Sequence, residues 1–321
     1  MTAARFILIV LIVLAPAPLV IGSDFLLNFL IMTLYAAFLG QAWNVLGGYG
    51  GQFSFGHAAF FGFGAYTAAV FQVNFGINPW IGFAAAIAAG GLVGAFIGAL
   101  SFRYGLRGSY FALVTLAFAE VFRILCNSFE FTGAGVGILI PLNQSAANFQ
   151  FPDKGGFYAV IWVLTAAGLW IAWWLEHSRF GAWLTAVRTN EDAARALGVD
   201  VFRVKVAAIS ISGAMMGAGG CFYAQYFLCL DPYIAFGPAV SVEALLVPII
   251  GGMGTIFGPL LGAGVLHLLS EFSREVFGDA PGLNLVLYGV VLVVMVLFMP
   301  NGLFGFARTS ARRVFGLKAG A

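Results

Sequence analysis

The amino-acid sequence predicts an all-α polytopic membrane protein with about ten transmembrane helices. Of its 321 residues, 61% are hydrophobic and 9% are charged, whereas a soluble domain carries about 25% charged residues. Stretches free of Asp, Glu, Lys and Arg recur, the longest from Phe25 to Phe102, and a spanning helix needs about 20 such residues. The alternating pattern of membrane β-strands is absent. Backbone groups in hydrocarbon must therefore pair within helices.

Gly, Pro, Asn and charged residues interrupt the apolar runs and divide the chain into ten predicted spans. They are 5–22, 25–46, 56–74, 80–100, 109–126, 157–175, 205–228, 237–250, 259–275 and 283–299. The first run follows Arg5 and contains Ala15-Pro16-Ala17-Pro18, a pattern also seen in cleaved signal peptides. We expect a retained helix, because the run continues to Gly22. We expect residues 1–321 to form one transmembrane domain.

The distribution of basic residues predicts the orientation. With the N-terminus inside, the cytoplasmic parts are the connections 47–55, 101–108, 176–204 and 251–258 and the basic tail 300–321. Lys and Arg favour that side, and twelve of the fifteen fall there: Arg5, Arg103, Arg107, Arg179, Arg188, Arg195, Arg203, Lys205, Arg308, Arg312, Arg313 and Lys318. Both termini are therefore expected to be cytoplasmic. A formal net charge of +2 gives no indication of a nucleic-acid partner.

The inner connection 176–204 contains the pattern of a short capped helix. Thr189 is predicted to cap it, with Asp192 completing a capping box and Glu191 adding negative charge to the first turn. Gly198 is predicted to end it in a left-handed cap, with Val199 as the apolar follower. Two turns are too short to be stable alone in water.

One face of this predicted helix is apolar and made of small residues. Ala193, Ala194 and Leu197 share it, and Arg188, Arg195 and Glu191 border it. Such a face is suited to a groove of another protein.

The same segment resembles a known signature. Asp192-Ala193-Ala194, followed after three residues by Gly198, is similar to the loop of the membrane subunits of ATP-binding cassette (ABC) importers, where Glu-Ala-Ala, three residues and Gly recur. Asp replaces Glu here, and the family's Ile-x-Leu-Pro ending is not matched by Ile209-Ser210-Ile211-Ser212. The resemblance implies a coupling helix that seats in a cleft of an ATP-binding subunit.

Three motifs together resemble the permease subunits of branched-chain amino acid ABC importers of the LivM type. They are Asn44 to His57, Arg188 to Gly198 and Gly251 to Pro259. The resemblance implies two ATPase subunits that hold ATP and Mg, a second homologous permease, and a periplasmic or extracellular solute-binding protein. It implies no cofactor on this chain and a place in the lipid of the bacterial inner membrane. Some relatives are assigned to urea or short amides, so the cargo stays open.

Two glycine-rich segments, Gly47 to Gly56 and Gly251 to Gly258, lie at equivalent ends of spans. Glycine there serves close packing and turns, or lines a cavity, and both interpretations stay open. The candidates for a translocation path or gate are Gly50, Gly51, Gly56, His57, Gly251, Gly252 and Gly254. A nucleotide phosphate loop is excluded, because none of the three lysines follows a glycine.

Charges inside the predicted spans are expected to be paired, and direct contact with the substrate is the alternative. Glu120 and Arg123 are spaced i, i+3, and His267, Glu271 and Arg274 share another helix face. Glu243 has no partner in its own span.

Two other functions stay open. An ion-gradient-driven secondary transporter would use Glu120, Glu243, His267 or Glu271 as ion carriers. An intramembrane protease would pair Ser212-Gly213 with His267. The three cysteines, Cys126, Cys221 and Cys229, are interpreted as small buried apolar residues, because their spacing suits neither disulfides nor zinc.

Overall fold

The structure, a computed structural model, describes residues 3–20, 22–277, 286, 289–290, 293 and 302–305. Its α-helices are α1 (Ala3–Leu14), α2 (Ala17–Val20), α3 (Asp24–Asn44), α4 (His57–Phe75), α5 (Pro79–Arg103), α6 (Gly108–Ser128), α7 (Lys154–His177), α8 (Arg179–Thr189), α9 (Glu191–Ala196), α10 (Val201–Phe227), α11 (Pro232–Ala235), α12 (Pro238–Gly251) and α13 (Gly258–Phe277). A π-helix, Val45–Tyr49, continues α3.

The predicted all-α polytopic class is confirmed. Among the described residues, seven helical segments are long and apolar enough to cross a membrane. The first predicted span is divided into α1 and α2. The span predicted at 259–275 is α13, which is not among the seven and whose last two turns carry Glu271, Arg274 and Glu275. The tenth predicted span, 283–299, and the tail after Gly305 lie outside the described residues apart from a few positions.

Glycines bring α4, α5 and α10 into direct backbone contact. A Cβ added at Gly90 of α5 would overlap the carbonyl oxygen of Gly213 in α10. A Cβ at Gly64 of α4 would overlap the backbone of Gly217 in α10. Small residues permit such close approach in membranes, where packing rather than hydrophobic burial drives helix association. These three helices form the rigid centre of the bundle.

The connections predicted to be inner meet at one end of the bundle. Arg107, after α5, binds Glu191 in the 176–204 connection. Arg188 in that connection donates to the carbonyl oxygen of Gly48, and the N–H of Gly254 donates to Asn44. The helices therefore alternate as predicted. The assignment of this end to the cytoplasm follows from the Lys and Arg bias and stays a prediction.

The outer connection after α6 is ordered at the opposite end. Its strand β1 (Ile138–Leu139) pairs antiparallel with β2 (Cys229–Leu230) after α10. The Trp80 ring stacks on Phe149 with centroids 4.4 Å apart, and its indole N–H donates to the carbonyl of Ala146 at 2.9 Å. The connection therefore forms a fixed outer surface. Cys229 is exposed there, so its predicted burial is wrong, whereas Cys126 and Cys221 are buried.

Candidate functional site

The short helix α9 is capped by Asn190 rather than Thr189. The Asn190 side-chain oxygen accepts from the backbone N–H groups of Asp192 and Ala193, both at 3.0 Å. The predicted cap at Thr189 is wrong, because Thr189 is the last residue of α8 and its hydroxyl donates to a carbonyl one turn back at 2.9 Å. Asn caps a helix at least as well as Thr. The helix therefore starts with Glu191 as its first residue.

The C-terminal end of α9 has the geometry that the sequence predicted. Gly198 has a left-handed φ of 85°, and its N–H donates to the carbonyl of Arg195 at 3.0 Å. The N–H of Val199 donates to the carbonyl of Ala194 at 3.1 Å. These two bonds satisfy the last carbonyls of the helix and fix the direction of the chain into α10.

Helix α8 was not predicted. Ser178 caps it by accepting from the N–H of Gly181 at 3.1 Å. Leu184 and Val187 are buried against the bundle. Most of the inner connection is therefore helical, and α9 directly follows a helix that packs against the bundle.

The predicted apolar face of α9 is divided between two environments. Ala194 is 2% exposed and packs into the bundle core. Leu197 is 84% exposed, and Ala193 is exposed as well. The prediction of one continuous stripe is therefore wrong. Ala194 attaches the helix, and Ala193 and Leu197 face outward.

The first turn of α9 is held by a charge cluster around Glu191. One carboxylate oxygen lies 2.7 Å from the Lys205 ammonium, and the other lies 3.0 Å from Nε of Arg107. The Glu191 and Lys205 side chains are only 12% and 4% exposed. The Lys205 ammonium also lies 4.4 Å from the Phe102 ring centroid, a cation–π contact. Two other elements, α10 through Lys205 and the connection after α5 through Arg107, thus hold the Glu191 carboxylate of α9.

A second, solvated ion pair borders this cluster. Asp192 lies 3.5 Å from Arg107 and 3.4 Å from Arg195, with its side chain 72% exposed. Exposed pairs contribute at most about 1 kcal/mol. Asp192 and Arg195 therefore remain available to a partner at little energetic cost.

Arg188, near the end of α8, bonds the first glycine-rich segment and lies beside the second. Its guanidinium donates to the carbonyl of Gly48 at 2.5 Å. A Cβ added at Gly254 would lie 2.9 Å from the same nitrogen. The buried Asn44 joins the two segments directly, because it accepts from the N–H of Gly254 at 2.8 Å and donates to the carbonyl of Thr255 at 3.1 Å.

The predicted glycine positions adopt conformations that other residues tolerate poorly. Gly51, Gly252 and Gly254 have φ angles of 66°, 129° and 69°. A Cβ at Gly56 would overlap the backbone carbonyl of α6, and one at Gly251 would overlap the carbonyl of Gly258. Packing and turn formation thus account for these glycines. Gly50 is buried at the end of the π-helix, and a gating role for any of them stays a prediction.

His57 is fully buried in a hydrogen-bonded network. The Ser212 hydroxyl donates to the carbonyl of Ala42 at 2.7 Å, so the imidazole Nε2–H must be the donor in its 2.9 Å contact with Ser212. Nδ1 then accepts from the Ser54 hydroxyl at 3.2 Å. This network joins α3, α4 and α10. Ser212 pairs with His57, so the predicted pairing of Ser212 with His267 is wrong.

The charges within the spans are arranged as local pairs. Arg123 makes two hydrogen bonds to Glu120, at 2.9 and 2.5 Å. Arg274 lies 3.3 Å from Glu271. His267, on the same helix, packs edge-on against the Phe29 ring, with centroids 6.3 Å apart.

Glu243 differs from these charges. It is half-buried on α12, and the described part of the chain supplies no ion-pair partner for it.

Sequence reasoning missed two residues of the inner site, Gln52 and Asn190. It also missed the contacts of Arg107 and Lys205 with Glu191, which bring α5 and α10 to α9. Gln52 lies 3.5 Å from Glu191. The acidic first turn of α9 was itself a signal that basic groups lie nearby, although it does not identify which element supplies them.

Comparisons with known proteins agree with this arrangement. The family model of the permease component of branched-chain amino acid transport systems matches residues 25–296. The high-affinity branched-chain amino acid transport system permease protein LivM of Escherichia coli (strain K12) is 30% identical over 99% of this chain and 78% of its own length. The corresponding permease protein LivH of that organism is 28% identical over 46% of this chain and 47% of its own.

A more distant relative is named for a different solute, the sugar ribose. The ribose import permease protein RbsC of Escherichia coli (strain K12) is 23% identical over 73% of this chain and 72% of its own length. No solved structure matches the chain.

The apolar spans give the chain the architecture of a polytopic membrane protein, and the relatives that it matches are membrane permease subunits. The chain belongs to the family of branched-chain amino acid transport system permease components.

Proposed function

We propose that this chain is the permease subunit of an ATP-driven importer of branched-chain amino acids and that α9 receives the ATPase subunit. The observation that carries the proposal is the way in which α9 packs on the bundle. Its buried side is fixed by Glu191 and Ala194, whereas Ala193 and the 84% exposed Leu197 face outward. A short helix with a fixed base and an apolar outer face is suited to a protein groove.

Motion of α9 would reach the spans through Arg188. This side chain bonds the carbonyl of Gly48, and Asn44 ties that segment to Gly254 and Thr255. ATP and Mg on two partner ATPase subunits would drive closure of those subunits, and the displaced α9 would shift both glycine-rich segments together. The solute would then gain access to alternate sides of the membrane.

The remaining parts of the machine are proposed from the relatives. LivM and LivH are two different permease proteins of one named transport system, which favours a second homologous permease beside this chain. A periplasmic or extracellular binding protein would deliver the solute to the ordered outer connection. The chain would lie in the bacterial inner membrane with both termini cytoplasmic. Urea and short amides are the alternative cargo.

Substitution of the outward-facing leucine tests the docking assignment. Leu197→Asp places a charge on the proposed contact and should abolish both co-purification of the ATPase subunits and ATP-dependent leucine uptake. Leu142→Asp is the matched control, because Leu142 is 67% exposed at the opposite end of the bundle and should leave ATPase co-purification intact. Equal co-purification by the two variants would refute the docking assignment.

A further inference from the structure

Helix α6 is attached to the bundle by one face only. Its buried residues recur about once per turn: Phe111, Ala112, Thr115, Ala119 and Cys126. The opposite face is exposed along the whole helix, and its large apolar members include Leu113 at 62%, Val121 at 49% and Ile124 at 52%. This opposite face, from Leu113 to Ile124, is called the outer α6 face below.

Glu120 lies on this face within the length of the span, and its partner Arg123 lies at the edge of the face. Glu120 is twelve residues from the start of α6 and eight from its end, or about 18 and 12 Å at 1.5 Å per residue. Its side chain is 51% exposed, whereas that of Arg123 is 18% exposed. Arg123 is anchored with its guanidinium carbon 4.4 Å from the Tyr233 ring centroid. The pair therefore directs its carboxylate away from the bundle.

The outer α6 face leads from this pair to a cavity at the inner end. The cavity has a volume of about 450 Å³ and is lined by Phe53, Phe55, Gly108, Ser109, Ala112 and Leu113. That volume lies within the range of about 300–1,000 Å³ for small-molecule sites. Phe53 and Phe55 belong to the first glycine-rich segment. Arg188 of α8 donates to the carbonyl of Gly48 in the same segment.

A half-exposed carboxylate at this depth is disfavoured against lipid, since charged groups at the centre of a span cost about 2.5–3.5 kcal/mol on insertion scales and usually face a bundle interior or a water-filled cavity. We infer that the outer α6 face lines a water-filled solute path, in which Glu120 and Arg123 contact the ammonium and carboxylate groups of a zwitterionic amino acid. The inference rests on the proposed function, and a second permease subunit would form the opposite wall. Charge-assisted bonds of this kind are among the strongest that a side chain makes.

Cysteine labelling tests whether the face meets water. In a background with the three native cysteines replaced by alanine, Ala117→Cys and Ile124→Cys are treated in membranes with a membrane-impermeant methanethiosulfonate. Leu92→Cys is the control, because Leu92 is 70% exposed in the middle of α5 with no charge beside it. Because only thiolate reacts, both α6 positions should react at least about tenfold faster than Leu92→Cys. Rates equal to the control overturn the water-filled path.

Leucine uptake by the assembled transporter tests the solute contact. Glu120→Gln and Arg123→Gln should each reduce uptake about tenfold, the equivalent of one charge-assisted bond, with ATPase co-purification unchanged. Arg123→Lys should lose less, and Glu271→Gln, which alters a different membrane ion pair, should lose nothing. Unchanged uptake in Glu120→Gln, or an equal loss in Glu271→Gln, overturns the contact. Failure of the unsubstituted transporter to import leucine would instead refute the proposed function, whereas the labelling rates do not depend on it.

Discussion

The single variant Glu191→Ala, which removes the largely buried carboxylate, should release α9 from the bundle. The Lys205 ammonium would lose a partner at 2.7 Å while its side chain stays 4% exposed, and breaking one side of a buried pair costs about 3–5 kcal/mol. Arg107 is 47% exposed, so Arg107→Met should cost less than about 1 kcal/mol. Glu191→Leu combined with Lys205→Met leaves no buried charge unpaired, since Arg107 is solvated and keeps Asp192 at 3.5 Å. That double variant should recover most of the loss.

Hydrogen exchange of the α9 amides measures this local stability directly. A loss of about 3 kcal/mol corresponds to a fall of roughly 100-fold or more in protection. The fall is expected at the N–H groups of Leu197, Gly198 and Val199, which close the end of the helix. If Arg107→Met lowers protection as much as Glu191→Ala, or if the double variant is no better than the single one, the buried pair is not what holds α9.

Three further substitutions have expected outcomes. Gly90→Ala should lower the thermal unfolding temperature, because the overpacking that it introduces costs about 1–3 kcal/mol. Gly91→Ala should leave that temperature unchanged, because its Cβ would lie 3.4 Å from its nearest neighbours. Equal unfolding temperatures for the two variants would contradict the close-packing account. Gly198→Ala should weaken α9 by about 1–2 kcal/mol, because φ is 85° there, and hydrogen exchange that matches the unsubstituted chain would count against the left-handed cap. Arg188→Met should lower leucine uptake per ATP hydrolysed while ATPase co-purification persists; an unchanged ratio, or the same loss in the 85% exposed Arg203→Met, would remove Arg188 from the coupling path.

Hydropathy was sufficient to predict seven of the ten spans, those that the described residues show as long apolar helices, because lipid imposes one rule on the whole length of a helix. It failed for α8. Residues 179–189 form a short helix with buried positions at Leu184 and Val187, and no apolar run marks it. The missed α8 also explains the wrong cap, since Thr189 looks like a helix start only if the residues before it are a loop.

The inner site was predictable in its parts but not in its contacts. The acidic first turn and the left-handed Gly198 follow from local rules that act over four or five residues. The cluster of Arg107, Glu191 and Lys205 joins three elements, and only tertiary packing brings them together. The same limit applies to Ala194, which has the same side chain as Ala193 but faces the core.

The carboxamide of Asn44 has a mechanical consequence for the inner end. It is fully buried and joins two backbone segments more than two hundred positions apart by one accepted and one donated bond. Separating them halfway would leave a buried polar group unpaired, at about 1–3 kcal/mol. The bonds of Asn44 therefore favour the arrangement in which the two glycine-rich segments stay together, and the free energy lost on separating them opposes any motion that pulls this end of the bundle apart.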